Sequence, residues 1–206
     1  TGTTSNLSLN GSTYDSSAAT TVLDVSDLVA ALDSNNVTVT TVNGSYEGPN
    51  GGDLTVATSI NSSSGNDLTL IATDQLTSSF GADIELDGNL NLTAGVGGIQ
   101  TIGKIDVGSN TITSSSGGST ILIGDVTAGT IDLTTTVPGS VIQSTKFQGG
   151  TVNLSTNNGN AEVTSPSGNL SIGTIDLGTG TADITAASGT INDKIGNSIS
   201  RHLGVK

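Results

Sequence analysis

Few residues in this sequence could carry out nucleophilic or general acid–base catalysis. The single histidine is His202, and the chain contains no cysteine. A Ser-His-Asp or Cys-His site needs a histidine that neighbouring elements hold in place, and we expect no second element to orient His202. Without cysteine, disulfides, thiolate nucleophiles and thiolate metal sites are excluded. These residues predict no catalytic site and no enzyme activity.

Paired carboxylates are the remaining route to catalysis. Polysaccharide hydrolases need two carboxyl groups at a defined separation, and stacked coils could bring two together. Lyases need a basic residue and cations that neutralise uronates, but residues 1–190 hold only Lys104 and Lys146. The alternative is a solvated polar face that keeps strands from aggregating. The candidate carboxylates are Asp83, Glu85 and Asp87, and Asp106, Asp125 and Asp132.

Oxygen-rich side chains could bind calcium, and rows of threonine could bind ice. No EF-hand loop or Gly-Asp nonapeptide repeat is present. No metal-ligating or cofactor-binding residue can therefore be named, although a weak calcium site among aspartates stays open. Two threonine rows could form hydroxyl ladders like those of ice-binding solenoids: Thr38, Thr40 and Thr41, and Thr134, Thr135 and Thr136. Asp, Asn and Gly interrupt these rows, which favours ordinary β propensity and solubility.

The chain also contains eight Asn-x-Ser/Thr sequons. In a sequence this rich in Asn, Ser and Thr, that frequency is close to chance, so unmodified turn and strand residues are the favoured interpretation. The sequons begin at Asn6, Asn10, Asn36, Asn43, Asn61, Asn91, Asn153 and Asn169.

Charge and hydropathy exclude several functions. The net charge of −13 disfavours nucleic-acid binding and fits a self-repelling surface. No apolar run approaches the ~18 residues of a membrane span. The opening residues have neither a basic start nor an apolar segment, so we expect no signal peptide. With no initiator methionine, we expect a mature or excised fragment.

The elements that would position these residues are short, repeated strands. Between Gly51 and Gly95 an apolar–polar–apolar phrase recurs, separated by Gly, Asn, Asp and Ser that can turn the chain. Only four aromatic residues are present, which suits a narrow core of short branched side chains. Like units that bury one another's apolar rows predict a solenoid. The phrases begin at Asp53, Asp67, Asp83 and Asn89, and resume from Ile105 to Ile184.

We therefore predict an all-β fold, a right-handed parallel β-helix (β-solenoid) with one short capping helix near residues 25–32. Coils of about 20 residues would give roughly ten coils and a rod of about 45–50 Å. Residues 1–23 would form a leading coil or frayed end, 24–190 the rod, and 191–206 a terminal cap or linker. The predicted inward rows are Leu54, Val56, Leu68, Leu70, Leu90, Leu92, Ile131, Leu133, Val152, Leu154, Leu170 and Ile172.

The helix prediction rests on one apolar stripe. Val25, Leu28, Val29 and Leu32 lie at i, i+3, i+4 and i+7, and either Asp24 or Ser26 can cap the start. The stripe predicts a helix that covers one end or flank of the β core.

Two stretches together resemble a known family. Residues 27–32 run into Asn36-Val37-Thr38-Val39-Thr40-Thr41, and Gly52-Asp53-Leu54-Thr55-Val56 leads through Asn66-Asp67-Leu68-Thr69-Leu70 to residues 89–95. This resembles the filamentous-haemagglutinin type of bacterial exoprotein, the adhesins of two-partner secretion systems. The family's secretion domain carries an Asn-Pro-Asn-Gly motif, whereas this chain has only Gly-Pro-Asn-Gly at residues 48–51. We therefore interpret the chain as repeat rod and not as the secretion signal.

The resemblance implies secretion, a bacterial cell-surface location and adhesion. The expected partners are surface glycans or a host receptor, and an outer-membrane transporter during secretion. The sequence leaves two alternatives open: a carbohydrate-active β-helix, namely a polysaccharide hydrolase, and an extracellular filament subunit that self-associates end to end.

Overall fold

The structure is a computed structural model that describes residues 3–18, 21–41, 52–101, 103–122, 124–166 and 169–193. In these ranges the chain forms one helix and twenty strands. They are β1 (Leu7–Asn10), β2 (Thr13–Ser16), α1 (Val25–Leu32), β3 (Val37–Thr40), β4 (Leu54–Val56), β5 (Ile60–Ser62), β6 (Leu68–Ile71), β7 (Gln75–Ser78), β8 (Ile84–Leu86), β9 (Leu90–Ala94), β10 (Gly98–Thr101), β11 (Ile105–Asp106), β12 (Thr111–Ser116), β13 (Thr120–Leu122), β14 (Val126–Thr135), β15 (Ile142–Ser144), β16 (Phe147–Thr156), β17 (Ala161–Ser165), β18 (Leu170–Asp176), β19 (Ala182–Ala186) and β20 (Ile191–Asp193).

Most coils contribute strands to three sides of a rod. The first side stacks β4, β7, β10, β13, β15, β17 and β19 in one seven-stranded parallel sheet. The second side stacks β5, β8 and β11, and the third stacks β3, β6, β9 and β12. The ten-residue strands β14 and β16 cross the corner between these two sides, which joins the second and third sides into one thirteen-stranded sheet. The predicted β-solenoid is confirmed.

The rod has about eight turns, fewer than the ten predicted. In the body of the rod a coil takes 19 to 24 residues, close to the predicted length. One of the first steps is longer, because Asn36 and Asp67 are stacked neighbours that lie 31 residues apart. Eight steps of about 4.8 Å give a rod about 38 Å long.

The core consists of apolar columns that run along the rod. One column on the third side passes through Val37, Leu68, Leu90, Ile112 and Ile131, all in register and all buried. Of the twelve predicted inward residues, eleven are buried. The twelfth residue, on β4, is half-buried and packs against the core. Burying a Leu, Ile or Val contributes about 1.5–3 kcal/mol, so in-register stacking holds neighbouring coils together.

Helix α1 packs beside β3 and β5, as the predicted capping helix. Asp24 caps its start, because its carboxylate accepts from the Ser26 backbone N–H at 2.9 Å. Hydrogen bonds from the Ser26 hydroxyl and backbone also lower the pKa of the Asp24 carboxyl. Leu28 and Leu32 are buried, whereas Val29 is only half-buried, so the buried stripe is narrower than the sequence pattern.

Residues 1–23, predicted as a leading coil or frayed end, contain regular structure. Strands β1 and β2 form an antiparallel hairpin, and β2 then pairs in parallel with β3. The hairpin turn includes Gly11 with φ +64°, a conformation that glycine adopts without steric cost. The third side of the rod therefore begins at this hairpin. Of residues 191–206, the structure describes only 191–193, which lie in β20; the rest of the predicted cap or linker lies outside the described residues.

Polar side chains connect successive coils at the corners of the rod. The side-chain oxygen of Asn36 accepts from the backbone N–H of Asp67 at 3.0 Å. In the same way Asp67 accepts from Asn89, and Asn89 from Thr111, both at 2.9 Å. We call this series the corner ladder. It explains why Asp or Asn begins so many of the repeated phrases, since the side chain satisfies a backbone donor on the next coil.

Candidate functional site

Several of the predicted carboxylates have structural roles. Asp83 Oδ1 accepts from the backbone N–H of Lys104 at 2.7 Å, and Asp53 and Asp74 bind backbone N–H groups of the next coil in the same way. Asp132 accepts a hydrogen bond from Asn153 at a corresponding position on the next coil. These carboxylates therefore stabilise the stacking of successive coils through hydrogen bonds.

The structure brings together only part of each predicted carboxylate group. Glu85 and Asp106 are in register on β8 and β11 of the second side. Asp125 lies at a corner, 3.9 Å from the Lys146 ammonium, and Asp132 lies on the third side. Glu85 of the first predicted group therefore lies beside Asp106 of the second, because the coil length determines which residues of successive coils are neighbours.

Glu85 and Asp106 line a shallow polar depression of about 290 Å³, which we call the charged depression. Lys104 Nζ lies between the two carboxylates, 2.7 Å from Glu85 Oε1 and 3.1 Å from Asp106 Oδ2. The Asn61 amide donates to the second Glu85 oxygen at 3.0 Å. The lining residues are Asn61, Ser62, Ser63, Glu85, Leu86, Asp87, Lys104, Asp106 and Gly108.

The protonation of Lys104 limits the chemistry of the charged depression. Its hydrogen bonds to Glu85 and then to Asp106 raise the pKa of the Lys104 ammonium above its ordinary value. The ammonium is therefore charged at neutral pH, and the ion pairs are lost as the pH rises through the raised pKa. A lysine that stays protonated cannot act as a general base at neutral pH.

A second polar surface covers the third side of the rod. Alternate residues of β9, β12, β14 and β16 point outward, and their registers align them in three columns along the axis. We call this surface the hydroxyl face. Its columns are Thr111, Thr130 and Thr151; Asn91, Thr113, Asp132 and Asn153; and Thr93, Ser115, Thr134 and Ser155.

The sequence pointed only partly to these two surfaces. Lys104 is one of two cations in residues 1–190 and Asn61 begins a sequon. The coil repeat brings both side chains to Glu85, whereas Asp106 lies two residues from Lys104 in sequence. Of the predicted threonine rows, Thr134 belongs to the hydroxyl face and Thr38 lies in register with its middle column on an earlier coil, whereas Thr40 and Thr135 are buried. The columns mix Ser, Thr, Asn and Asp, so no uniform threonine ladder forms.

The remaining candidate residues give no further site. Among the described residues no group of three His, Asp or Glu side chains could hold a metal ion. His202 lies outside the described ranges, as do Asn43 and the Gly-Pro-Asn-Gly segment. The sequon residues Asn36, Asn61, Asn91, Asn153 and Asn169 use their side chains in hydrogen bonds between coils.

The one helix in the described ranges has eight residues and is too short to cross a membrane. Comparison with known proteins found no matching family model, curated protein or solved structure.

Proposed function

We propose that the chain is a structural and adhesive segment of a secreted bacterial surface exoprotein, and that it has no catalytic activity. The observation that carries this proposal is the stack of parallel coils, in register along most of its length, with polar outward sides. Such a rod repeats the same polar groups along its length, so weak contacts can add up by multivalency. Secretion would involve an outer-membrane transporter, and the partners would be surface glycans or a host receptor.

The proposal is tested with beads coated with the purified chain and washed over host cells and over polysaccharide films. We expect retention that rises steeply with the number of copies per bead, since avidity grows with valency. Beads coated with the heat-denatured chain serve as the control. Equal retention of native and denatured coatings would reject the adhesive function.

A polysaccharide hydrolase is the second candidate, and the Glu85–Asp106 pair favours it. Parallel strands lie about 4.8 Å apart, close to the ~5–5.5 Å between the carboxyl groups of retaining glycosidases. Against it, the Lys104 ammonium lies where the glycosidic oxygen would have to sit. The test is to look for new reducing ends on a panel of polysaccharides. Turnover that both Glu85→Gln and Asp106→Asn abolish would establish the hydrolase.

A further inference from the structure

The hydroxyl face presents more hydroxyl side chains without a side-chain hydrogen bond to another described residue than the other two sides do. The first side pairs Thr55 with Thr77 and Gln143 with Glu162 but leaves Thr164 and Thr185 without such a bond. The second side pairs the charged depression but not Thr127. On the hydroxyl face, a large set of hydroxyl groups makes no side-chain hydrogen bond to any described residue. They are Thr93, Thr111, Thr113, Ser115, Thr130, Thr134 and Ser155.

These hydroxyls form a regular array. Neighbouring coils place them about 4.8 Å apart along the rod, and alternate residues of one strand place them about 6.6 Å apart across it. The pairing of β12, β14 and β16 keeps its register through all three columns. Each hydroxyl can both donate and accept a hydrogen bond. The face therefore offers many paired donors and acceptors in fixed positions.

Charge and composition narrow the class of partner. Among its eleven side chains only Asp132 is charged, whereas the whole chain has a net charge of −13. Acidic polymers, including nucleic acids, would be repelled by the chain. Protein interfaces usually centre on buried aromatic, Met or Arg anchors, and this face has none. An uncharged partner rich in hydroxyl groups fits these properties.

We propose that the hydroxyl face binds an uncharged polysaccharide, which lies along the rod axis and exchanges hydrogen bonds with several coils. This inference rests on the proposed adhesive function, and it names the surface and the ligand class. Asp132 adds a carboxylate in the middle column, where it can accept from sugar hydroxyls with the oxygen that Asn153 leaves available.

The experiment uses affinity gel electrophoresis of the purified chain through gels that contain dextran, galactomannan or hydroxyethyl cellulose. Polygalacturonate provides the acidic comparison. The variant Thr111→Val, Thr130→Val, Thr134→Val removes three hydroxyls with little change of shape. Thr127→Val is the matched control, because Thr127 points outward from the same strand β14 but lies on the second side. Unfolding curves confirm that both variants remain folded.

We expect at least one neutral polysaccharide to retard the parent chain and the control equally. The triple variant should bind that polysaccharide at least about tenfold more weakly, because three hydrogen-bonding groups are removed from the face. Equal retardation of the triple variant, or retardation of the parent by polygalacturonate alone, would overturn the inference. So would an ice-growth inhibition that the triple variant loses, if no polysaccharide is bound.

The bead experiment separates this inference from the proposed function. If the beads adhere to cells but no neutral polysaccharide retards the chain, the adhesive function stands and the polysaccharide site is rejected. If a neutral polysaccharide retards the parent chain and the beads do not adhere, the polysaccharide site stands and the adhesive function is rejected.

Discussion

Individual hydroxyl groups differ sharply in how well the rod accommodates them. Thr101 Oγ1, Thr135 Oγ1 and Ser144 Oγ are buried and find no hydrogen-bond partner among the described residues. By contrast, Ser114 and Thr120 are buried and bond to each other at 3.2 Å. An unpaired buried hydroxyl costs about 1–3 kcal/mol, so these positions should respond in opposite ways to removal of the hydroxyl.

We expect Thr101→Val to raise the free energy of unfolding by about 1 kcal/mol, because valine has the same shape and no polar group to desolvate. Thr120→Val should lower it by about 1–2 kcal/mol, because Ser114 loses its partner. Urea unfolding of both variants measures the difference. If Thr101→Val proves the more destabilising of the two, the account of the unpaired hydroxyl is wrong.

The corner ladder gives a second prediction for single residues. Asp67→Ala removes the acceptor of the Asn89 backbone N–H and of the Asn89 side-chain amide. We expect a loss of about 1–3 kcal/mol, in line with a charged acceptor removed from a backbone donor. Asp87→Ala is the control, since Asp87 is exposed and should change stability by no more than about 0.5 kcal/mol. Equal unfolding midpoints for both variants would contradict a structural role for Asp67.

At the scale of elements, the sequence predicted which strand residues face inward better than it predicted which side chains contact one another. Alternation of apolar and polar residues identified eleven buried positions, because a strand with one inward face imposes a period of two. It could not show which carboxylates meet, since that depends on coil length, and the coils take 19 to 31 residues from one stacked position to the next. The pairing of Lys104 with Glu85 follows from this spacing, whereas Asp106 lies only two residues from Lys104 in the same coil.

Helix α1 shows the same limit within one element. Its heptad-like stripe predicted that Val29 faces the core, but the helix rests mainly on Leu28 and Leu32. We expect Leu28→Ala to cost about 2–4 kcal/mol and Val29→Ala less than about 1 kcal/mol. Thermal or urea unfolding measures both values. A larger effect at Val29 would restore the wider stripe that the sequence suggested.

At the scale of the whole molecule, stability is shared between adjacent coils. Each coil contacts its two neighbours, so a defect in the middle of the rod damages two interfaces. Leu92 is 1% exposed and pairs with Leu70 and Ser114 on the adjacent coils. We expect Leu92→Asp to cost several kcal/mol, because a charge is buried without a partner. Phe80→Asp should be nearly neutral, since Phe80 is 91% exposed.

Circular dichroism and urea titration measure both variants, and an unchanged midpoint for Leu92→Asp would contradict its inward placement.

The fold as a whole could be predicted because repetition amplifies a weak local signal. The sequence did not predict the hairpin β1–β2, because the leading segment has one strand-like phrase, residues 7–9, and a turn-like Asn10-Gly11 but no second phrase of that kind. The pairing of β2 with β3 is a contact across 25 residues.

The orientation of the strands has a mechanical consequence. The strands run around the rod, so tension applied along its axis pulls neighbouring coils directly apart and loads their hydrogen bonds one after another. A coil of 22 residues that peels away extends to about 75 Å of chain, while it occupied only about 4.8 Å of the stack. Stretched along its axis, the rod would therefore lengthen in a series of small steps, each absorbing work while the remaining coils stay folded. A tether of this kind yields gradually under load and does not snap at a single threshold.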